Sequence, residues 1–178
     1  MLAHILWWFM LFDISMQYHD KMLGPSDFTF KLMKVCEDFE TVVNFAISQK
    51  KHNRTTNVLD IRVASADFEI GDNLVVELKG SLKKDGGYKP GAYYVKDVVC
   101  KLLQKVVGEI ADDIFAAAGI EGCPIPRGEY AALNYYFDNT KFTVPQVFGE
   151  YKMDINVFKD DVLVGCFVAF YDLMDKRQ

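Results

Sequence analysis

Tyr94-Val95-Lys96-Asp97-Val98-Val99-Cys100, answered further along by Glu121-Gly122-Cys123-Pro124-Ile125-Pro126, is the stretch whose reading decides the fold. Between these ends Val99, Leu103, Val106, Ile110, Ile114 and Ala117 recur at three- and four-residue steps, as the buried side of a helix does. Lys101, Lys105, Glu109, Asp112 and Asp113 fall on the other side. Asp97 reads as a cap at the start, and Gly119 suits the left-handed position that ends helices. The charges oppose one long helix. Lysines come first and acids last, against the dipole, at a few tenths of a kcal/mol each when exposed.

Two cysteines frame this run, and a bridge between them constrains its shape. Bonded cysteines hold their Cα atoms about 5.5 Å apart. A straight helix from Cys100 to Ala118 separates its ends by about 27 Å. The few residues from Gly119 to Cys123 cannot recover that distance. A bridged chain therefore needs a broken helix, and Gly108 is the weakest point, since glycine costs about 1 kcal/mol inside one. That reading places Cys100 in extended chain, then a turn, then a helix near Lys105–Ala118. The other reading is a continuous core helix with two free buried thiols.

Working outward, 178 residues make one domain, with or without a processed leader. Hydrophobic residues make up 51% and can fill a core. The aromatic share of 14% suits a sandwich core or a roomy apolar pocket. A net charge of −5 and the lack of a basic tract exclude nucleic acid as the expected partner. Four cysteines allow three pairings if the chain is secreted. No Cys-x-x-Cys occurs and the three histidines are scattered, so neither a metal nor a cofactor site is expected.

Met1–Phe12 is strongly apolar but shorter than the roughly 20 residues a spanning helix needs. It fits the apolar core of a signal peptide over residues 1–17, with cleavage between Ser15 and His19. An N-terminal anchor or a buried helix is the alternative. The domain is then residues 18–178.

Strand patterns fill the remainder. Gly24-Pro25-Ser26 turns the chain. Phe28, Phe30 and Leu32 alternate with Thr29 and Lys31 as a first strand. Phe39–Ile47 is a second, followed by a polar loop over Gln49–Thr56. That loop holds Asn53-Arg54-Thr55, an acceptor triplet for N-glycosylation in a secreted protein. Val58–Ile70 is a longer strand whose parity switches near Ala64–Ser65, which suggests a bulge or bend. Further strands are expected over Leu74–Leu82, over Tyr88–Val95 with a break at Pro90-Gly91, and over Gly128–Phe137. Val144-Pro145 begins a short edge segment. Gly149–Phe158 and Val162–Tyr171 form a hairpin about Lys159-Asp160-Asp161. Many short strands with one helix predict an all-β fold, an antiparallel sandwich or barrel.

No catalytic signature appears: no Gly-x-Ser-x-Gly elbow, no phosphate loop, no paired-histidine motif. Asp112-Asp113, Asp160-Asp161 and Glu37-Asp38 read as solvated faces or turns rather than a glycosidase pair. The chain is expected not to be an enzyme. Composition alone leaves open whether the aromatic-rich interior is filled or admits an apolar ligand.

Leu74-Val75-Val76-Glu77-Leu78-Lys79-Gly80, then Tyr88, then Asp97-Val98-Val99-Cys100-Lys101-Leu102-Leu103 and a helix form one ordered set of motifs. Cys123-Pro124-Ile125, Gly128-Glu129-Tyr130 and Pro145-x-x-x-Gly149-Glu150-Tyr151 complete it before the closing hairpin. From about Phe28 to Leu173 this resembles the ML lipid-recognition superfamily (ganglioside-activator-like), in its insect secreted branch. The resemblance implies an immunoglobulin-like antiparallel β-sandwich with an apolar cavity between its sheets. It implies a secreted, disulfide-bonded carrier or presenter without catalysis. It also implies the bridges Cys36–Cys166 and Cys100–Cys123. Some insect members resemble accessory proteins of contact chemoreception, and no ligand-reading charge cluster can be matched here.

On that footing the partner is a lipid, sterol, fatty acid or similar apolar small molecule, with a membrane receptor as second partner for a presenter. The residues expected to line the cavity are Phe68, Val76, Leu78, Ile114, Phe115, Phe148, Met153, Ile155 and Phe167, all as apolar contacts. The alternative is a secreted interaction module, a receptor or chemosensory accessory protein with a filled core. Tyr88, Tyr93, Tyr94, Tyr135 and Tyr136 would then form its contact surface. A dry packed interior would favour that alternative.

Overall fold

The alternating segments of the chain pair into two antiparallel sheets. A computed structural model describes residues 26–54, 56–141 and 147–175. The expected leader, the turn at Gly24-Pro25 and the Val144-Pro145 segment lie outside the described residues. The strands are β1 (Ser26–Val35), β2 (Asn44–Lys51), β3 (Asn57–Ser65), β4 (Val75–Lys84), β5 (Gly87–Val98), β6 (Gly128–Tyr135), β7 (Gly149–Lys159) and β8 (Val162–Asp175). One sheet has the order β1-β8-β7-β4-β5 and the other β2-β3-β6. Their apolar faces share one core, in which Phe45 of β2 meets Phe167 of β8 edge-on with ring centres 6.2 Å apart. This is the architecture of immunoglobulin-like sandwiches.

Helical chain follows β5. It comprises α1 (Val99–Leu102), a π-helical turn (Leu103–Val107) and α2 (Glu109–Ala118). The break falls at Gly108, whose φ of 57° and ψ of −133° suit a residue without Cβ. The break also resolves the charge problem. Glu109 and Asp112 now sit in the first turn of α2, and Lys101 in the last turn of α1, each on its favourable side of a dipole. Gly119 ends α2 in the left-handed conformation, as expected (φ 70°, ψ 30°).

Both disulfides are formed, and no cysteine is free. Cys36–Cys166 spans 5.4 Å between Cα atoms and Cys100–Cys123 spans 5.6 Å. Cys100 lies in α1 rather than in extended chain. The break at Gly108 and the turn after Gly119 bring the chain back without an extended segment at Cys100. The expected cap also differs. The Asp97 carboxylate accepts from its neighbour, the Val98 amide, at 2.9 Å. Asp72, from the turn before β4, accepts from the Cys100 amide in the first turn of α1 at 3.2 Å.

Several strand boundaries move for local reasons. β1 carries a bulge between Phe30 and Leu32. Parity reverses there, so Leu32 turns out to solvent (52% exposed) and Met33 turns in. β2 begins at Asn44 rather than Phe39 and runs on through Lys51, into the segment read as a loop. β3 stops at Ser65, where the parity switch was read, because the Ser65 hydroxyl donates to the Phe68 carbonyl at 2.6 Å and bends the chain. Ile70 then forms a separate bridge to Ile125. The register between β4 and β5 shifts at Gly80/Ser81, opposite Gly91 and Ala92, so Pro90-Gly91 is a bulge within one strand. Asp160 and Asp161 both have positive φ, as a type I′ hairpin turn requires.

The flanks of the sandwich differ. On one side β1 and β2 approach each other closely. On the other, the helical segment starts at β5 and α2 packs along β6, bridging the two free edges.

Candidate functional site: an uncharged cavity between the sheets

Strand alternation builds the site. In β7 the odd positions Tyr151, Met153, Ile155 and Val157 face inward, while Lys152, Asp154 and Asn156 face out. Val76 and Leu78 do the same in β4, Phe167, Ala169 and Tyr171 in β8, and Leu59, Ile61 and Val63 in β3. Together these faces enclose a cavity of about 560 Å³. Ile110, Ala111, Ile114, Phe115 and Ala118 of α2 cover it from the flank, with Leu103, Val106 and Val107 of the π-helical turn.

Every lining residue is aliphatic, Met, Phe or Tyr. The hydroxyls of Tyr93, Tyr130, Tyr151 and Tyr171 are the oxygen-bearing side-chain groups among them. Charges stay outside the cavity; on the five-stranded sheet Lys31 pairs with Asp172 at 2.6 Å and Lys83 with Glu150 at 2.8 Å, and on the three-stranded sheet Lys50 pairs with Asp60 at 2.8 Å. The hydrogen bond from Lys31 to Asp172 raises the Lys31 pKa, and that from Lys83 lowers the pKa of Glu150. Among the described residues no group of three or more His, Cys, Asp or Glu side chains could hold a metal ion.

The two ends of the cavity differ in chemistry. One lies at the start of β4, with Ile70, Leu74, Val99, Leu102, Ile120 and Ile125. It is aliphatic, and Leu74 is fully buried. The other lies at the level of Gly80 to Leu82, where Tyr93, Tyr151 and Tyr171 meet. The rings of Tyr151 and Tyr171 stack with centres 5.1 Å apart, and Phe28 sits 5.3 Å from Tyr171 and 4.8 Å from Phe137. The hydroxyls of Tyr93 and Tyr171 are 3.0 Å apart, and that of Tyr151 donates to the Val147 carbonyl at 2.6 Å.

Gly80 makes this end possible. It pairs with Tyr93 across the sheet, and a Cβ on it would lie 2.2 Å from the Tyr93 ring. The ring therefore lies over the β4 backbone. Burial pushes the Tyr93 phenol up to about 12 and raises that of Tyr151. Ala92, beside Tyr93 at the β5 bulge, is the one exposed residue in the lining among the described residues.

Seven of the nine expected lining residues take part: Val76, Leu78, Ile114, Phe115, Met153, Ile155 and Phe167. Phe68 and Phe148 do not. The bend after Ser65 carries Phe68 to the edge of the core, where the Lys159 ammonium stands 5.6 Å from its ring centre. Phe148 falls on the even parity that β7 turns outward, and its neighbour Val147 lines the cavity instead. Tyr151 and Tyr171 were missed although they share parity with Met153 and Phe167, so the alternation already carried the signal. The tyrosine surface of the alternative reading does not assemble. Tyr94 and Tyr136 are exposed (59% and 62%), but Tyr93 turns inward and Tyr88 and Tyr135 are half-buried. Asn53 is exposed in the turn between β2 and β3, with its side-chain oxygen accepting from the Thr56 amide at 2.8 Å. Thr55 of its triplet lies outside the described residues. Among the described residues no helix is long and apolar enough to cross a membrane. Set against known proteins, the chain matches no family model and no curated sequence.

Proposed function

We propose that this protein is a secreted, non-catalytic binder that holds a lipid, sterol, fatty acid or similar apolar molecule between its sheets, as carrier or presenter. The observation that carries the reading is the uncharged cavity of about 560 Å³ running between both sheets. That volume lies in the range of small-molecule sites, roughly 300–1,000 Å³. An all-apolar cavity of only about 150 Å³ stays dry and takes up benzene. Covering about 330 Å² of ligand at about 25 cal/mol per Å² supplies about 8 kcal/mol, the scale of micromolar binding.

Two disulfides support an oxidising compartment. The apolar leader over residues 1–17, the exposed Asn53 and the resemblance to the ML superfamily point the same way. The described lining residues offer apolar surface and phenol hydroxyls, which suit the binding of an apolar molecule. Delipidated protein is expected to bind a fluorescent fatty acid with micromolar affinity, and Phe167→Asp to abolish it. Native mass spectrometry of protein from its source is expected to show a co-purifying lipid. If the wild-type protein binds no apolar probe, the reading fails.

A further inference from the structure

We infer that the preferred ligand is an uncharged long-chain amphiphile with a hydroxyl or carbonyl head, its oxygen bonded at the Tyr93 hydroxyl and its hydrocarbon directed toward Leu74. This rests on the carrier reading above and narrows the class of ligand. Three observations on the cavity support it.

The first is the absence of charge. Among the described residues none in the lining carries one, so a carboxylate drawn inside loses water and gains no cation from them. A hydroxyl or carbonyl loses far less on leaving water and needs a single partner. The second is where the oxygens lie. Tyr93 and Tyr171 bring their hydroxyls within 3.0 Å of each other at the end where Ala92 opens to solvent. A phenol has one donor and two acceptor sites. If Tyr93 donates to Tyr171 it keeps an acceptor site for a ligand hydroxyl, and if Tyr171 donates it keeps its own O–H for a ligand hydroxyl or carbonyl. Burial keeps this phenol neutral. The third is the length and character of the remainder. From Gly80 back to Leu74 the cavity follows six residues of chain, about 20 Å in extended form, and ends among Leu74, Val99 and Leu102. A flexible hydrocarbon chain fits that path with its head at the opening.

The test is competition for an apolar fluorescent probe bound to the delipidated full chain at neutral pH. Three competitors of equal length separate the terms: hexadecanol, hexadecanoate and hexadecene. Hexadecanol is expected to displace the probe at about tenfold lower concentration than hexadecanoate. Tyr93→Phe is expected to weaken hexadecanol about fivefold, the worth of one hydrogen bond, and to leave hexadecene unchanged. Unchanged hexadecene binding also shows that the variant keeps its cavity. The inference is overturned if hexadecanoate binds as well as hexadecanol, or if Tyr93→Phe weakens all three alike or none. Those outcomes leave the carrier reading standing. Failure of every apolar probe to enter the wild-type protein overturns both.

Discussion

The Leu74 end and the tyrosine end of the cavity are closed by different forces. Cys100–Cys123 lies at the first, since Cys100 follows closely on the strand that pairs with Val75, while Cys36–Cys166 lies midway, Cys166 pairing across the sheet with Asn156, which faces Glu77. The second end has no sulfur bridge. It is held by ring contacts worth about 0.5–1.5 kcal/mol each beyond their burial, and by hydroxyl bonds worth about 1 kcal/mol each. One end is thus tied covalently and the other closed by weak, separable contacts, the arrangement that the proposed carrier would need to shelter a guest and admit it. The exposed Ala92 lies at the second.

The largest effect is expected from the sulfur bridges. In the chain-entropy account, a loop of 130 residues closed by Cys36–Cys166 stabilises by about 5 kcal/mol, and one of 23 residues closed by Cys100–Cys123 by about 3 kcal/mol. Denaturant unfolding of the two paired Cys→Ser variants measures both. Losses under 1 kcal/mol would remove the contrast between the ends. Truncation sharpens it. Leu74→Ala is expected to cost about 2–5 kcal/mol as a buried cavity, against about 1 kcal/mol for Tyr171→Phe. Equal costs in thermal or chemical unfolding would argue against a weaker tyrosine end.

Alkaline pH, compared between the wild type and Tyr93→Phe, probes the tyrosine end. The Tyr93 phenol ionises near 10.0 when free and is pushed up to about 12 in the fold by burial. The unfolded chain therefore loses its proton first. The stabilisation is complete below pH 10 and is lost as pH rises through 12, at most about 3 kcal/mol. Stability curves over that window should flatten in Tyr93→Phe, and an unchanged curve would mean that Tyr93 is not buried as described. Gly80→Ala is expected to cost about 1–3 kcal/mol, since its Cβ meets the Tyr93 ring. The same variant should shift the near-UV tyrosine signal. A silent substitution would show that the ring does not lie over β4.

Local pattern carried most of this fold. The alternation in Gly149–Phe158 predicted β7 and its inward face almost residue for residue, because a pleated strand with one buried face has a strict period of two. The misplaced charges of Lys101–Asp113 argued against a single helix, and the chain breaks at Gly108. The errors share one cause. The bulge after Phe30 turns Leu32 out, and the bend held by Ser65 takes Phe68 off the cavity wall. One added residue or one side-chain hydrogen bond reverses a two-residue period, and although the switch near Ala64–Ser65 was legible, the hydrogen bond that sets where Phe68 goes was not.

By itself the sequence determined the class of elements, the hairpin at Lys159-Asp160-Asp161 and the broken helix, since turn chemistry, periodicity and dipole charge act over a few residues. The tertiary structure decided what depends on distance across the molecule. It set how far apart the sheets stand, that one bridge closes the Leu74 end while the other ties β1 to the middle of β8, and that Gly80 lets Tyr93 reach toward Tyr171, 78 residues away in the chain. A side chain's neighbours within its own strand follow from the alternation of the backbone. Its neighbours on other strands follow only once register and bulges are set.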